Sequence, residues 1–173
     1  MARQGFAPYL VPGSGNASFA VRSQKYKTSE AIVIGTILQS DTNGELIVSA
    51  ADPASALKGV ALEGAGTKLN FGEPFVGQTV FATGRVQEVS YAIADSRTLF
   101  SCRQEDGSGN VVAPLQTHIG EKYGVAKDAD LQWFIDRAET TAIVVEIVDI
   151  VESLGTHLGF CVVKFVPAVL LPA

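Results

Sequence analysis

Few residues in this sequence have the types and spacing that chemistry demands. Cys102, His118, His157 and Cys161 are the candidate metal ligands or nucleophile–base partners. His157 and Cys161 are four positions apart, which on an extended strand puts them on one face but roughly 13 Å from each other. That is too far to share one ion unless the chain bends, and no CxxC or HxxxH pattern accompanies them. A nucleophile needs a base beside it, yet neither histidine lies in a recognisable motif and there is no G-x-S-x-G. The sequence therefore predicts no catalytic residue, no metal site and no cofactor. Cys161, inside Gly159-Phe160-Cys161-Val162-Val163, reads as a small buried thiol.

The glycine-rich stretches Pro12–Asn16 and Gly64–Lys68 lack the spacing of a phosphate loop, and no predicted helix follows either to hold a phosphate at its N-terminus. Asp41-Thr42-Asn43-Gly44-Glu45 begins like a calcium loop, but Leu46 stands where such a loop needs glycine. A hairpin turn explains these residues fully. The carboxylates Asp128, Asp130, Asp136 and Asp149 read as solvated turn residues. Tyr123, Trp133 and Phe134 could form a platform for a sugar ring, but aromatics on adjacent strands more often belong to the core.

The elements that would position these residues are strands. Ala31–Leu38, rich in β-branched residues, and Glu45–Ser49 flank the Asn-Gly turn, a hairpin signature. Ala56–Glu63, Gln78–Ala82, Arg85–Tyr91, Lys122–Lys127 and Leu131–Asp136 read as further strands. Thr140–Val151 is apolar on both faces apart from Glu146 and Asp149, the pattern of a strand buried on both sides. Gly159–Val166 closes the series. Residues 92–121 show no clear pattern beyond a tight turn at Asp106–Asn110. No stretch has a helical period. Many short strands with turn signals every 8 to 12 residues predict an all-β fold, a compact sandwich or barrel-like domain. Residues 1–28 are different: proline, glycine and small polar residues predict an extended N-terminal arm ahead of a β-rich domain over 29–173. Phe6, Tyr9, Leu10 and Phe19 give that arm apolar anchors suited to docking on another chain.

Bulk properties narrow the partners. The chain has 173 residues, 47% of them apolar, and a mean hydropathy of +0.24. That is high for a small monomer, which leaves much of its surface in water, so some apolar surface is expected to face partner subunits. Val144, Ile147, Phe165, Val169 and Leu170 are the candidate subunit contacts. A net charge of −5 without a Lys/Arg cluster argues against nucleic-acid binding. No apolar run approaches the roughly 20 residues of a membrane helix. The N-terminus has no apolar segment of the signal-peptide kind, so synthesis in the cytoplasm is expected.

Two stretches carry a family resemblance. One is Gly35-Thr36-Ile37-Leu38, Gly44-Glu45-Leu46-Ile47-Val48 and Leu57-Lys58-Gly59-Val60-Ala61-Leu62-Glu63. The other runs from Ile119-Gly120-Glu121-Lys122-Tyr123-Gly124-Val125 through Trp133-Phe134-Ile135-Asp136 to Thr140-Thr141, and ends in Val163-Lys164-Phe165. Over roughly residues 30–170 this pattern resembles the small β-rich head proteins of tailed bacteriophages, including the capsid decoration (cement) proteins. The resemblance implies a structural protein that is not an enzyme, often a homotrimer. Its partners would be the major capsid protein and other copies of itself, on the outer surface of the mature head. Under it, the arm would lie on a neighbouring capsid subunit, and deleting residues 1–20 would weaken binding but spare the fold. Another virion component, a β-trimeric hydrolase and a carbohydrate-binding module are the competing readings.

Overall fold

The backbone follows the alternation of the sequence into two curled antiparallel sheets. The computed structural model describes residues 6–9, 19–50, 56–67, 87–151 and 159–170. Eleven strands are present among them: β1 (Ala7–Pro8), β2 (Val21–Lys25), β3 (Ile37–Ser40), β4 (Leu46–Val48), β5 (Leu57–Ala61), β6 (Glu88–Ile93), β7 (Phe100–Glu105), β8 (Lys122–Lys127), β9 (Trp133–Asp136), β10 (Val145–Ile150) and β11 (Phe160–Phe165). The only helical pieces among the described residues are single 3-10 turns at Gln116–His118 and Pro167–Val169. The all-β expectation holds, and the architecture is a barrel with a second sheet packed on it.

The first sheet has the order β1-β7-β11-β10-β8-β9, and β9 returns to pair in parallel with the end of β7 through Gln104↔Ile135 and Glu105↔Asp136. That pairing closes five strands into a barrel. The two-residue strand β1 lies along the start of β7. The second sheet has the order β2-β6-β5-β3-β4. Its outer strands meet at the parallel bridge Tyr26↔Leu46, where the Lys27 N–H donates to the Leu46 carbonyl.

Alternation within β3, β5 and β6 serves two cores. Leu38, Ala61, Val89 and Tyr91 pack inside the second sheet with Tyr26, Ile32 and Leu46. Their neighbours Ile37, Val60 and Ala92 point the other way, into a larger cluster with Phe100, Trp133, Ile135, Ile147, Val163 and Phe165 of the barrel. The close approach of β5 to β6 requires Gly59: a Cβ there would lie 2.0 Å from the Ala92 carbonyl oxygen.

Three hairpin loops repeat one geometry. In Asp41–Glu45, Asp106–Asn110 and Asp128–Gln132 the leading aspartate Oδ1 accepts the N–H groups two and four residues on. The fourth position of each has positive φ: Gly44, Gly109 and Leu131. A side-chain acceptor and one left-handed residue are enough to reverse the chain. The Asn-Gly turn expected at 43–44 is thus a five-residue loop in which Gly44 alone takes positive φ.

Several sequence expectations change here. Residues 21–25, assigned to the arm, form β2 and pair along their length with β6. Residues 31–36 turn around Gly35 at φ 85°, with the Thr36 N–H on the Val33 carbonyl, so the strand begins only at Ile37. Buried β7 went unread because Arg103-Gln104-Glu105 is polar. β10 is shorter than 140–151 and buries one face, with Val145 and Ile147 inward and Glu146 between Lys122 and Lys164 on the other side. The strand expected at 78–82 lies outside the described residues.

The proposed contact residues are corrected by burial. Phe6 is 1% exposed, and its ring stacks on Phe165 at 5.8 Å, while Phe165 meets Phe100 edge-on at 5.3 Å. Val144, Ile147, Phe165 and Val169 are likewise buried in the chain's own core. A side chain enclosed by its own chain has no surface left for a partner. Tyr9, Phe19 and Leu170 are half-buried, the latter two against the same core, and Leu10 lies outside the described residues.

Phe6→Ala should therefore destabilise the fold by about 3–5 kcal/mol, the usual cost of emptying an aromatic core site. The urea midpoint of the variant measures it, and a loss under about 1 kcal/mol would place the ring outside the core. Deleting residues 1–20 should lower the midpoint in the same way, so the truncation would not spare the fold.

Candidate interaction surface

β7 lines up charged residues that cannot reach water. Arg103 and Glu105 are 5% and 1% exposed and share one face of the strand, opposite Phe100 and Cys102. The Arg103 guanidinium pairs with the Glu105 carboxylate and lies 3.7 Å from Asp128 Oδ2, in the β8–β9 loop. Buried charges survive only when compensated this way. The cluster ties the β8–β9 loop to β7 and has no face open to a substrate.

The cysteines are brought together but not for catalysis. Cys102 and Cys161 are direct cross-strand partners on β7 and β11, both fully buried. The Gln104 N–H bonds to the Gly159 carbonyl directly opposite. Two residues along, 102 and 161 form another hydrogen-bonded pair, whose Cβ atoms stand about 5.5 Å apart. A disulfide needs roughly 3.5–4.5 Å, and the two sulfurs are not bonded to each other. Burial, with the Cys161 thiol beside it, pushes the Cys102 thiol well above its ordinary range. It is a core thiol and no nucleophile.

The other candidates separate. His157 lies outside the described residues, and no group of three or more His, Cys, Asp or Glu able to hold a metal occurs among the described ones. Asp128 and Asp130 sit in the β8–β9 turn and Asp136 ends β9, and Asp128 and Asp136 each cap a backbone N–H two residues on. Gly64–Thr67 is a turn closed by the Thr67 hydroxyl on the Gly64 carbonyl. Trp133 is 1% exposed, with Tyr123 and Phe134 also buried. Trp133 offers no stacking face to a sugar, which removes the observation a carbohydrate-binding module required.

The large exposed apolar side chains among the described residues are Val21, Ile34 and four others that share one end of the barrel. Val111, Leu115, Ile119 and Val151 are each between 36% and 48% exposed. Strand directions put all four at one end of the barrel, where β7 and β10 finish and β8 and β11 begin. A Cβ on Gly159 would touch Val111, and the Gly120 N–H bonds to the Ile147 carbonyl, so the segment leans on both strands. Sequence reading missed Val111, Leu115 and Ile119, since they sit in the stretch 92–121 that shows no period, and it placed Val151 at the end of a strand expected to be buried on both faces.

One buried histidine holds that segment. His118 is 4% exposed, and its Nδ1 accepts the Leu115 N–H at 3.2 Å. Nδ1 must then carry a lone pair, so the Gln104 amide also donates to it, at 3.2 Å, and donates again to the Val112 carbonyl. The imidazole is neutral with its proton on Nε2. Burial and the nearby Arg137 guanidinium hold its pKa below the ordinary value, against a smaller opposing pull from Glu121.

A histidine whose folded pKa is depressed binds its proton more readily in the unfolded chain. Stability should thus be complete above the unfolded value of about 6.5 and fall as pH drops below it. Protonation also orphans the Leu115 and Gln104 donors. Amide exchange at Leu115, measured from pH 7.5 down to 5, should accelerate beyond the intrinsic pH trend, and His118→Gln should remove that excess. An excess that persists in the variant would assign the effect to another group. No protein-family model matches the chain, and no curated protein matches it either.

Proposed function

We propose that this protein is a capsid decoration protein of a tailed bacteriophage, which binds the outside of the mature head and stabilises it. The observation that carries the reading is the cluster of Val111, Leu115, Ile119 and Val151 at one barrel end. Exposed apolar side chains grouped at one end of a fold are a common mark of an interaction site. The described carboxylates, by contrast, are largely engaged in turns and ion pairs. The resemblance of residues 30–170 to phage head proteins supplies the kind of partner, and the all-β frame is consistent with it.

The mechanism is mass action. A protein that binds only the expanded lattice stabilises that lattice by the free energy of its binding. Repeated attachment over many equivalent sites adds avidity without one large contact. In this account the barrel end takes the docking role first assigned to the arm, because Phe6 is held in the core. A homotrimer would place three such ends on neighbouring capsid subunits. The acidic net charge suits an outer surface away from packaged DNA.

Two measurements test this. In density-purified particles the copy number relative to the major capsid protein should approach one to one. A few copies per particle would indicate a tail or vertex component, and none would end the virion reading. Leu115→Ser with Ile119→Ser should reduce occupancy of the head about tenfold or more while leaving the unfolding midpoint within about 0.5 kcal/mol of the parent. Full occupancy with both serines would move the contact off the barrel end.

A further inference from the structure

A pocket of about 520 Å³ lies between the two sheets, away from the exposed barrel end. Its volume falls within the usual range for small-molecule sites, and junctions between packed units are where such sites occur. The apolar part of its wall comes from Leu57 and Ile93 of the second sheet and from Pro167 and Leu170 after the barrel's last strand. A bridge between Leu57 and Leu170 joins the two sides. An apolar recess with this composition accepts a hydrocarbon body.

Two cations sit on the same wall. Arg22 lies on β2 directly across from Tyr91 on β6. Lys58 stands at a β-bulge, because Leu38 pairs with Gly59 while Gln39 pairs with Leu57 and leaves Lys58 as the extra residue. Bulges re-aim side chains and recur beside functional sites, and here the side chain lines the pocket. Neither Arg22 nor Lys58 has a carboxylate partner among the described residues. The one acid in the lining, Asp95, is turned to its own loop, where Oδ1 accepts the N–H groups of Arg97 and Thr98. Tyr91 is held in place by its hydroxyl on Gln24 Oε1 at 3.2 Å.

We infer that this pocket binds a small amphipathic carboxylate, with the acid group between Arg22 and Lys58 and the hydrocarbon body against Leu57, Ile93 and Leu170. Two cations without a carboxylate partner among the described residues, over apolar surface in a chain of net charge −5, are a local inversion of the surface field, and an anion with an apolar tail satisfies both halves of the site. A cation with the same tail would gain the apolar contact and lose the electrostatic one. The inference is independent of the capsid reading, since it uses none of the barrel-end residues.

Isothermal titration of the full-length chain with decanoate at low salt tests it, with decyltrimethylammonium as the control. The expected result is saturable one-to-one binding of decanoate and none of the cation. Arg22→Glu with Lys58→Glu should weaken decanoate binding about tenfold or more, and Ser96→Trp, which places an indole on the pocket wall, should block it. Arg22 and Ser96 are exposed and Lys58 half-buried, so the native circular dichroism spectrum should persist. Absence of saturable decanoate binding would overturn the inference, as would equal binding of the cation. Undiminished affinity in both the double variant and Ser96→Trp would do the same. An acidic apolar peptide that bound where decanoate did not would assign the pocket to a protein partner and also overturn it.

Discussion

The parallel pairing of β7 with β9 is the contact on which the barrel depends. It spans only Gln104↔Ile135 and Glu105↔Asp136, yet it is what turns five strands into a closed wall. Closure removes the exposed edges that an open sheet must otherwise protect. The residues at the seam are polar for a reason. Arg103 and Glu105 cannot be buried unless Asp128 and the β8–β9 loop are in place, and Gln104 cannot be buried unless His118 and Val112 meet its amide. A mispaired seam would strand charges in a low-dielectric interior at several kcal/mol each. The polar half of β7 thereby ties the register of the seam to the position of the 112–119 segment.

The second sheet explains where the remaining apolar surface can go. β3, β5 and β6 bury apolar side chains on both faces, so the hydrophobic content of these three strands is consumed internally. Phe6 and the C-terminal Val166 and Val169 complete the same cluster. Interior demand leaves four apolar side chains exposed at the barrel end, on connections whose backbone is held by the barrel. A docking surface built on fixed connections loses less conformational entropy on binding than a free arm does. That is the physical reason the proposed function places the contact at the barrel end and not on the N-terminal segment.

Turns were the most legible features of the sequence. Asp41, Asp106 and Asp128 announce reversals because a short carboxylate at the first position can accept two backbone N–H groups, a purely local effect. Strands with regular alternation, such as β8 and β9, were also visible. β7 was hidden because burial of Arg103, Gln104 and Glu105 depends on partners distant in sequence. β2 was hidden because Val21, Arg22 and Ser23 are exposed and the sequence there has no apolar face. The apolar run at 140–151 misled in the opposite direction: β-branched composition signals a strand, but not which faces another sheet will cover. Of the candidate surface nothing was legible, since Leu115 and Ile119 differ from core leucine and isoleucine only in where the fold leaves them. His118 looked idle in the sequence because its partner Gln104 belongs to the unread strand.

The form of the barrel end also constrains how a partner can engage it. β8 supports β10 only as far as Ile147, through the Ile147 N–H on Glu121 and the Gly120 N–H on Ile147. Beyond that point no described strand covers the outer side of β10. A bulge interrupts its register between Ile147 and Asp149, and the Ile150 N–H is taken by the Asp149 carboxylate at 2.8 Å. Cys161, opposite Ile150, directs its own backbone groups to β7, so the Ile150 N–H faces outward and Asp149 caps an edge donor. A bulge and a charged residue at an open edge are the devices that discourage strand addition. The end that displays Leu115, Ile119 and Val151 is thus guarded against β-augmentation by Asp149 and open to side-chain contact, so under the proposed function a preformed surface on the partner fits it better than an extended segment.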